Sequence, residues 1–277
     1  MSTALCTDSA ACLPASIVER FGILVAPLSV TVDGVLTDDL AMDNEEFFDQ
    51  LAAGVKPTTS QPSPGSFLQL YKQAARDGAE RVLSIHIGSN LSGTVASARI
   101  AAESSPVPVE VVDSGTASFQ QGLCVWEAAE ALASGSDVGD ATAVALKAAQ
   151  SSGNIFIVGA LKFAAQGGRL VGGDVEGVPV LSVGEKGIAP VGSAQSVDEA
   201  IEIMTTHVAA DAAKLDGQRL RIGVTHIHAR EMARRFKEKL SAIKQLEEIM
   251  DYSLVPSMAS HTGPGTVSAV YLARPVR

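Results

Sequence analysis

Hydroxyl side chains gather in two short stretches of the 277-residue chain. Thr58, Thr59 and Ser60 open "TTSQPSPG" (58–65), and Ser89, Ser92 and Thr94 lie within "IGSNLSGTVASA" (87–98). A Ser or Thr hydroxyl is a neutral donor, and one hydrogen bond from it to a carboxylate contributes roughly 1.5–3 kcal/mol. Two or three such donors orient a carboxylate head without an ion pair. They do not give tight binding to a small acid, so affinity would have to come from apolar contact. Two further loops carry polar side chains. His261 heads "HTGPGT" (261–266), where it can donate to an anion beside glycines that let backbone approach a ligand closely. Arg169 follows a glycine pair in "QGGRL" (166–170). Taken singly, each has an ordinary explanation: Ser and Thr cap helices, a lone His sits in a loop, and an isolated Arg is a solvated charge or an interface ion pair. The case for a site rests on several loops converging.

Other chemistry fits these residues less well. Ser92, His261 and Asp113 contain the side chains of a hydrolase triad, yet no G-x-S-x-G elbow surrounds Ser92. A dihydroxyacetone-kinase-like sugar-binding subunit would need a His poised for covalent attachment to a ketone and a small polar pocket. No G-x-x-x-x-G-K-[ST] motif offers a phosphate cradle. His226 and His228 stand two apart at a strand end but lack a third metal ligand. Cys6, Cys12 and Cys124 are too few and too scattered for a disulfide framework or a metal cage. They read as small buried hydrophobes in a reducing compartment. No catalytic residue, metal or cofactor is therefore expected.

The elements that must hold these loops alternate. "TALCT" (3–7), "RVLSIHI" (81–87), "VPVEVVD" (107–113) and "NIFIVGA" (154–160) are short, β-branched runs of the kind that form a buried sheet. Between them come helical patterns. Asp43 and Glu46 have the spacing of a capping box ahead of "FFDQLAAG". Ser63-Pro64 is an N-cap followed by proline at the first helical position. Phe67, Tyr71 and Ala74 then recur at helical spacing, as do Val125, Ala129 and Leu132. Strand, loop and helix in repetition imply a parallel sheet with helices on its faces. In such sheets ligands bind outside the carboxyl ends of the strands, which is where the hydroxyl-rich loops fall. The second half reads differently: two strands joined at Glu185–Gly187 in "GVPVLSVGEKGIAPVGS", a long helix with Val197, Ile201, Met204 and Val208 on one face, the strand "RLRIGVTHI", the helix "AREMARRFKEKL", and the closing strands "EEIMDYSLV" and "TVSAVYLA". A boundary near 160 divides an N-terminal parallel-sheet domain (1–160) from a C-terminal mixed α/β domain (161–277).

Composition narrows the partners. Hydrophobic residues make up 46% but aromatics only 4%, so the interior is built mainly from Ala, Val, Leu and Ile. The net charge of -10 argues against nucleic acid or an anionic membrane as the main partner. "MSTALCTDS" lacks a basic segment followed by an apolar core, so no signal peptide is expected. "FGILVAPLSVTV" contains Pro27 and is too short to span a bilayer. A cytoplasmic protein with no transmembrane segment is expected, and at most a transient membrane contact.

In order and spacing, "TDSAACLP", "TTSQPSPGSF", "NLSGTVASA", "VVDSGTASFQQG", "LKFAAQGGRL", "PVLSVGEKGIAPVG" and "HTGPGTVSAVY" resemble the DegV family of bacterial fatty-acid-binding proteins. The resemblance covers Thr7 to about Tyr271. It implies a two-domain α/β protein that encloses one long-chain fatty acid in an apolar tunnel, with the carboxylate near the domain junction. It further implies a partner, an ATP-dependent fatty acid kinase that converts the presented acid to an acyl phosphate for phospholipid synthesis. By match to "TSQP" and "LSGT", Thr59 and Ser92 would hydrogen-bond the carboxylate. By match to the "H-x-GPG" loop, His261 would complete that network, and Arg169 of "GGR" would lie near the exposed head group. Four positions depart from the pattern: Cys12 where Asp is frequent, Gln166 and Val178 where basic residues are frequent, and Gln195 where Arg is common. Those lost charges bear on kinase docking and leave the tunnel untouched.

Overall fold

The computed structural model describes residues 2–159, 177–184 and 187–275. The chain forms two compact units, Met1–Asp43 with Pro57–Gln150 and Asn44–Lys56 with Ser151–Arg277. The α/β class, one parallel-sheet unit and one mixed-sheet unit, agrees with the pattern of alternating runs.

In the first unit, β1 (Thr3–Asp8), β2 (Leu24–Ala26), β6 (Arg81–His86) and β7 (Val109–Asp113) form a wholly parallel sheet in the order β2-β1-β6-β7. Helix α1 (Ala15–Phe21) connects β1 to β2, α3 (Pro64–Arg76) precedes β6, α4 (Thr94–Ala102) connects β6 to β7, and α5 (Phe119–Ala133) and α6 (Val138–Ser151) follow β7. The start of α3 is set locally. Ser63 is extended, its Oγ accepts the amide of Ser66 at 3.1 Å, and Pro64 follows at the first helical position. Phe67, Tyr71 and Ala74 then share the buried face and pack with Cys6, Val82, Ala98 and Ala101. A second, antiparallel sheet, β4-β3-β5, combines the hairpin β3 (Ser29–Val32)–β4 (Val35–Asp38) with β5 (Thr58–Ser60). Asp33 and Gly34 turn that hairpin with φ of 48° and 82°, the left-handed pair that matches strand twist.

The second unit holds a sheet in the order β10-β9-β8-β13-β11-β12. Its strands are β8 (Ser152–Ile157), β9 (Val178–Gly184), β10 (Gly187–Ala194), β11 (Gln218–His226), β12 (Leu246–Asp251) and β13 (Val267–Pro275). Only the β11–β12 pair is parallel. The run around Ile155 therefore does not extend the parallel sheet of the first unit, as the alternation of runs suggested. It pairs antiparallel with β13 and β9, because an apolar β-branched run specifies burial but not the direction of its neighbours. Helix α7 (Val197–Ala212) buries Ile201, Met204 and Val208, and α8 (Arg230–Leu240) buries Phe236 and Leu240. Helix α9 (Pro256–Thr262) carries His261. Helix α2 (Asn44–Ala52), although early in the chain, also belongs to this unit; Phe47, Phe48 and Leu51 are its buried residues. The strand pair expected around residues 178–194 is present as β9 and β10, while Glu185 and Lys186 of its turn lie outside the described residues.

Candidate functional site

The polar loops after β6 and β7 emerge from the carboxyl ends of parallel strands. After β6, Gly88 is the hub. Its amide donates to Thr116 O at 2.8 Å, and its carbonyl accepts the amides of Leu91 at 2.9 Å and Ser92 at 3.1 Å. A side chain at 88 has no room: a Cβ there would lie 2.9 Å from the Gly115 carbonyl carbon. After β7, Asp113 Oδ1 accepts the amides of Ser89 and Gly115 at 3.1 and 3.0 Å, which ties two loops to one carboxylate. Ser92 is half-buried, and its Oγ lies 2.8 Å from Thr94 Oγ1, at the opening of α4.

Thr59 is held by strand pairing. It lies in β5 opposite Val30 of β3, with Ser60 opposite Ser29. The two hydroxyl-bearing loops abut. A Cβ at Gly93 would fall 2.9 Å from Gln61 Nε2, so the "TSQP" and "LSGT" segments meet with only a glycine's width between them.

In the second unit, His261 occupies the last turn of α9, half-buried. The loop after it is closely fixed. Gly263 and Gly265 adopt φ of 72° and 85°, Gly265 N donates to Ile227 O at 2.8 Å, and Ile227 N donates to Thr266 O at 3.0 Å. Thr266 Oγ1 returns to Gly263 O at 2.7 Å. Helix α2 packs against α9, and His228 faces α2, 3.4 Å from Asp49 and 3.9 Å from Glu45, with the Phe48 ring edge-on. His226 is held below the usual histidine range, first by burial and then by the Arg230 charge. Among the described residues no group of three His, Cys, Asp or Glu side chains could hold a metal ion. Arg169 and Gln166 lie outside the described residues. Val178 opens β9, and the amide of Gln195 donates to Glu199 Oε2 at 2.7 Å.

Sequence reasoning passed over a buried polar chain beneath these loops. Asp8, at the end of β1, is fully buried. Its Oδ2 accepts from His86 Nδ1 at 2.9 Å, Ile87 N at 3.2 Å and Gln121 Nε2 at 3.1 Å, and its Oδ1 accepts Ala10 N at 3.2 Å. His86 Nε2 is 2.7 Å from Ser84 Oγ, which is 3.0 Å from the Tyr71 hydroxyl. The signal was in the strand itself. Ser84 and His86 share one face of an otherwise apolar run, and buried polar groups require partners. The Ser84–His86–Asp8 sequence has the order of a hydrolytic triad, but Ser84, His86 and Asp8 are each 0% exposed, sealed from any substrate. Of the triad weighed from sequence, Asp113 is engaged with two loop amides and Ser92 with Thr94. Burial pushes the Cys6 and Cys124 thiols up to about 12, so neither is a nucleophile at neutral pH.

The sequence model of a family described as "Uncharacterised protein, DegV family" matches residues 2–274. A DegV domain-containing protein of Streptomyces coelicolor is 32% identical over 279 residues, covering 98% of each chain. One of Deinococcus radiodurans is 31% identical over 275 residues, covering 96% of this chain and 97% of its own. Among solved structures, a Thermus thermophilus protein described as "Fatty Acid Binding of a DegV family Protein" aligns with a TM-score of 0.91 at 32% identity, covering 99% of this chain and all of that one. "DegV, a fatty acid binding protein from Bacillus subtilis" aligns with a TM-score of 0.90 at 27% identity and the same coverage.

Proposed function

Because this chain belongs to the DegV family, we propose that it binds one long-chain fatty acid and presents the carboxylate to an ATP-dependent fatty acid kinase, for acyl-phosphate formation in phospholipid synthesis. The single observation that carries the reading is the match along 99% of the chain to a fatty-acid-binding protein of 32% identity. Thr59 and Ser92 hold the carboxylate, His261 completes their network, and Arg169 serves the exposed head group. The protein is a cytoplasmic carrier, and the phosphoryl transfer belongs to the kinase. No helix among the described residues is long and apolar enough to cross a membrane.

The energetics suit a carrier. Burying a methylene stabilises by about 0.8 kcal/mol, so an acyl chain with around fourteen of them gains on the order of 11 kcal/mol. One hydroxyl–carboxylate bond contributes roughly 1.5–3 kcal/mol. The tail sets affinity and the head sets orientation. Neutral donors hold the head without the strong pairing of a buried Arg, which would resist conversion to acyl phosphate.

That division gives a test. In Thr59→Ala and Ser92→Ala, retention of palmitate, followed by displacement with a fluorescent fatty acid, should fall modestly. Acyl-phosphate formation by a fatty acid kinase should fall by a distinctly larger factor. Equal loss of both would contradict the assignment of these hydroxyls to orientation.

A further inference from the structure

Asp8 is a carboxylate with no access to solvent, and burying a charge is costly unless donors surround it. Four donors do so: Ala10 N on Oδ1, and His86 Nδ1, Ile87 N and Gln121 Nε2 on Oδ2. A carboxylate only accepts, so Nδ1 of His86 is the donor to Asp8, while Nε2 lies 2.7 Å from Ser84 Oγ. Ser84 Oγ lies in turn 3.0 Å from the Tyr71 hydroxyl. Gln121 also donates to Thr7 Oγ1 at 3.1 Å, and Thr7 Oγ1 donates to Ile85 O at 2.7 Å. Together these bonds join β1, β6, α3 and α5.

The chain of bonds ends on the loop that carries Ser92. Ile87 is the first residue past β6, and its amide is fixed by Asp8. The next residue, Gly88, holds the amides of Leu91 and Ser92 on its carbonyl. A shift at the Ile87 anchor therefore reaches Ser92 through one residue and one hydrogen bond. At the other end, Tyr71 stands on α3, two turns from the Ser63 cap that follows Thr59's strand. Phe67 locks this end, stacked on Tyr71 with ring centroids 6.2 Å apart and edge-on to His86 at 4.8 Å.

We infer that Asp8 and His86 are positioning residues for the carboxylate site, fixing the Ile87 amide and through it the Ser92 loop. The role of Ser92 in that site rests on the function proposed above; the mechanical coupling of Asp8 to the loop does not. An apolar trio of the same volume would pack as stably. What the polar chain adds is one fixed geometry at the strand end.

Two variants of one residue separate positioning from bulk stability. In His86→Asn the side-chain amide nitrogen takes the place of Nδ1 and keeps the bond to Asp8. In His86→Gln the amide reaches the place of Nε2, towards Ser84, and the bond to Asp8 is lost. Amide hydrogen exchange at Ile87 and Ser92 is measured by 15N NMR, alongside the 13C carboxyl resonance of bound [1-13C]palmitate and the Tm. H86Q should speed exchange at both amides by about tenfold or more, in local opening beyond any global destabilisation, and should move the carboxyl resonance. H86N should keep both near wild type although its Tm also falls. Equal exchange and an unmoved resonance in both variants, with Tm alone changed, would overturn the proposal. If H86Q does not fold, wild type decides: Ile87 protected as well as Leu83 in mid-strand supports the anchor, and Ile87 exchanging as fast as exposed Asn90 refutes it. A wild type with no bound palmitate resonance would sink the fatty-acid reading, while the exchange data would still decide the coupling.

Discussion

Replacing Gly159 by alanine is expected to unseat the 261–266 loop and to cost on the order of 3 kcal/mol, the upper part of the range for overpacking. Gly159 lies two residues past the end of β8, and a Cβ on it would fall inside the contact radius of the Pro264 carbonyl oxygen. The approach is tight in the other direction too: a Cβ on Gly265 would lie 2.8 Å from Gly159 Cα. Both partners are backbone, so no side chain can swing aside. Gly265 is further held by its bond to Ile227 O and by a φ of 85°. The extra methyl must separate the two segments and displace the turn that follows His261. In thermal unfolding, this should appear as a Tm lowered by roughly 6–12 °C. Palmitate affinity should fall with it. Gly159 is solvent-exposed, so by exposure alone the change would be worth within about 0.5 kcal/mol. A near-neutral result would mean that the two backbones are not in contact.

Phe67→Ala should be comparably damaging in the first unit, by about 3–5 kcal/mol in denaturant unfolding. Phe67 is fully buried and joins three things: the Tyr71 ring, the His86 ring, and the apolar face of α3 against the sheet. Truncation leaves a cavity between helix and strand and frees His86 to tilt. Phe67→Leu keeps most of the volume and should cost below about 1.5 kcal/mol. A loss under about 1 kcal/mol for the alanine variant would show that the site collapses without cost, contrary to a core in which α3 fixes β6.

Much of the first unit was legible because its signals are local. Ser63-Pro64 states where α3 begins, and the spacing of Phe67, Tyr71 and Ala74 states which face it buries. The strands β1, β6 and β7 lie where short apolar runs stand between loops. What escaped was decided by distant partners. The run around Ile155 could not announce that β13 and β9 would be its antiparallel neighbours. "TTSQPSPG" reads from sequence as one of the polar loops, yet Thr58–Ser60 is a strand whose partner, β3, lies some thirty residues upstream. Helix α2 packs with residues nearly two hundred positions later, which no capping box foretells.

The candidate site divides along the same line. Thr59 and Ser92 were singled out by type and motif, and Gly93, beside Ser92, lies close to the Gln61 side chain. Asp8 and His86 were missed because attention to exposed loops overlooks the buried side chains beneath them. A carboxylate at a strand end and a serine–histidine pair on one face of an apolar strand were visible as residues, but their union needed the register Cys6 to Ser84, which sets β1 beside β6. The departures at Val178 and Gln195 fall in the second unit.

Native mass spectrometry of the protein purified from a bacterial host tests the central claim most directly, followed by denaturing extraction and identification of what is released. The account predicts one adduct per chain with the mass of a long-chain fatty acid, released intact on denaturation and exchangeable with added palmitate. A chain that emerges at its own mass and takes up no palmitate, or that carries a small polar ligand instead, would contradict it.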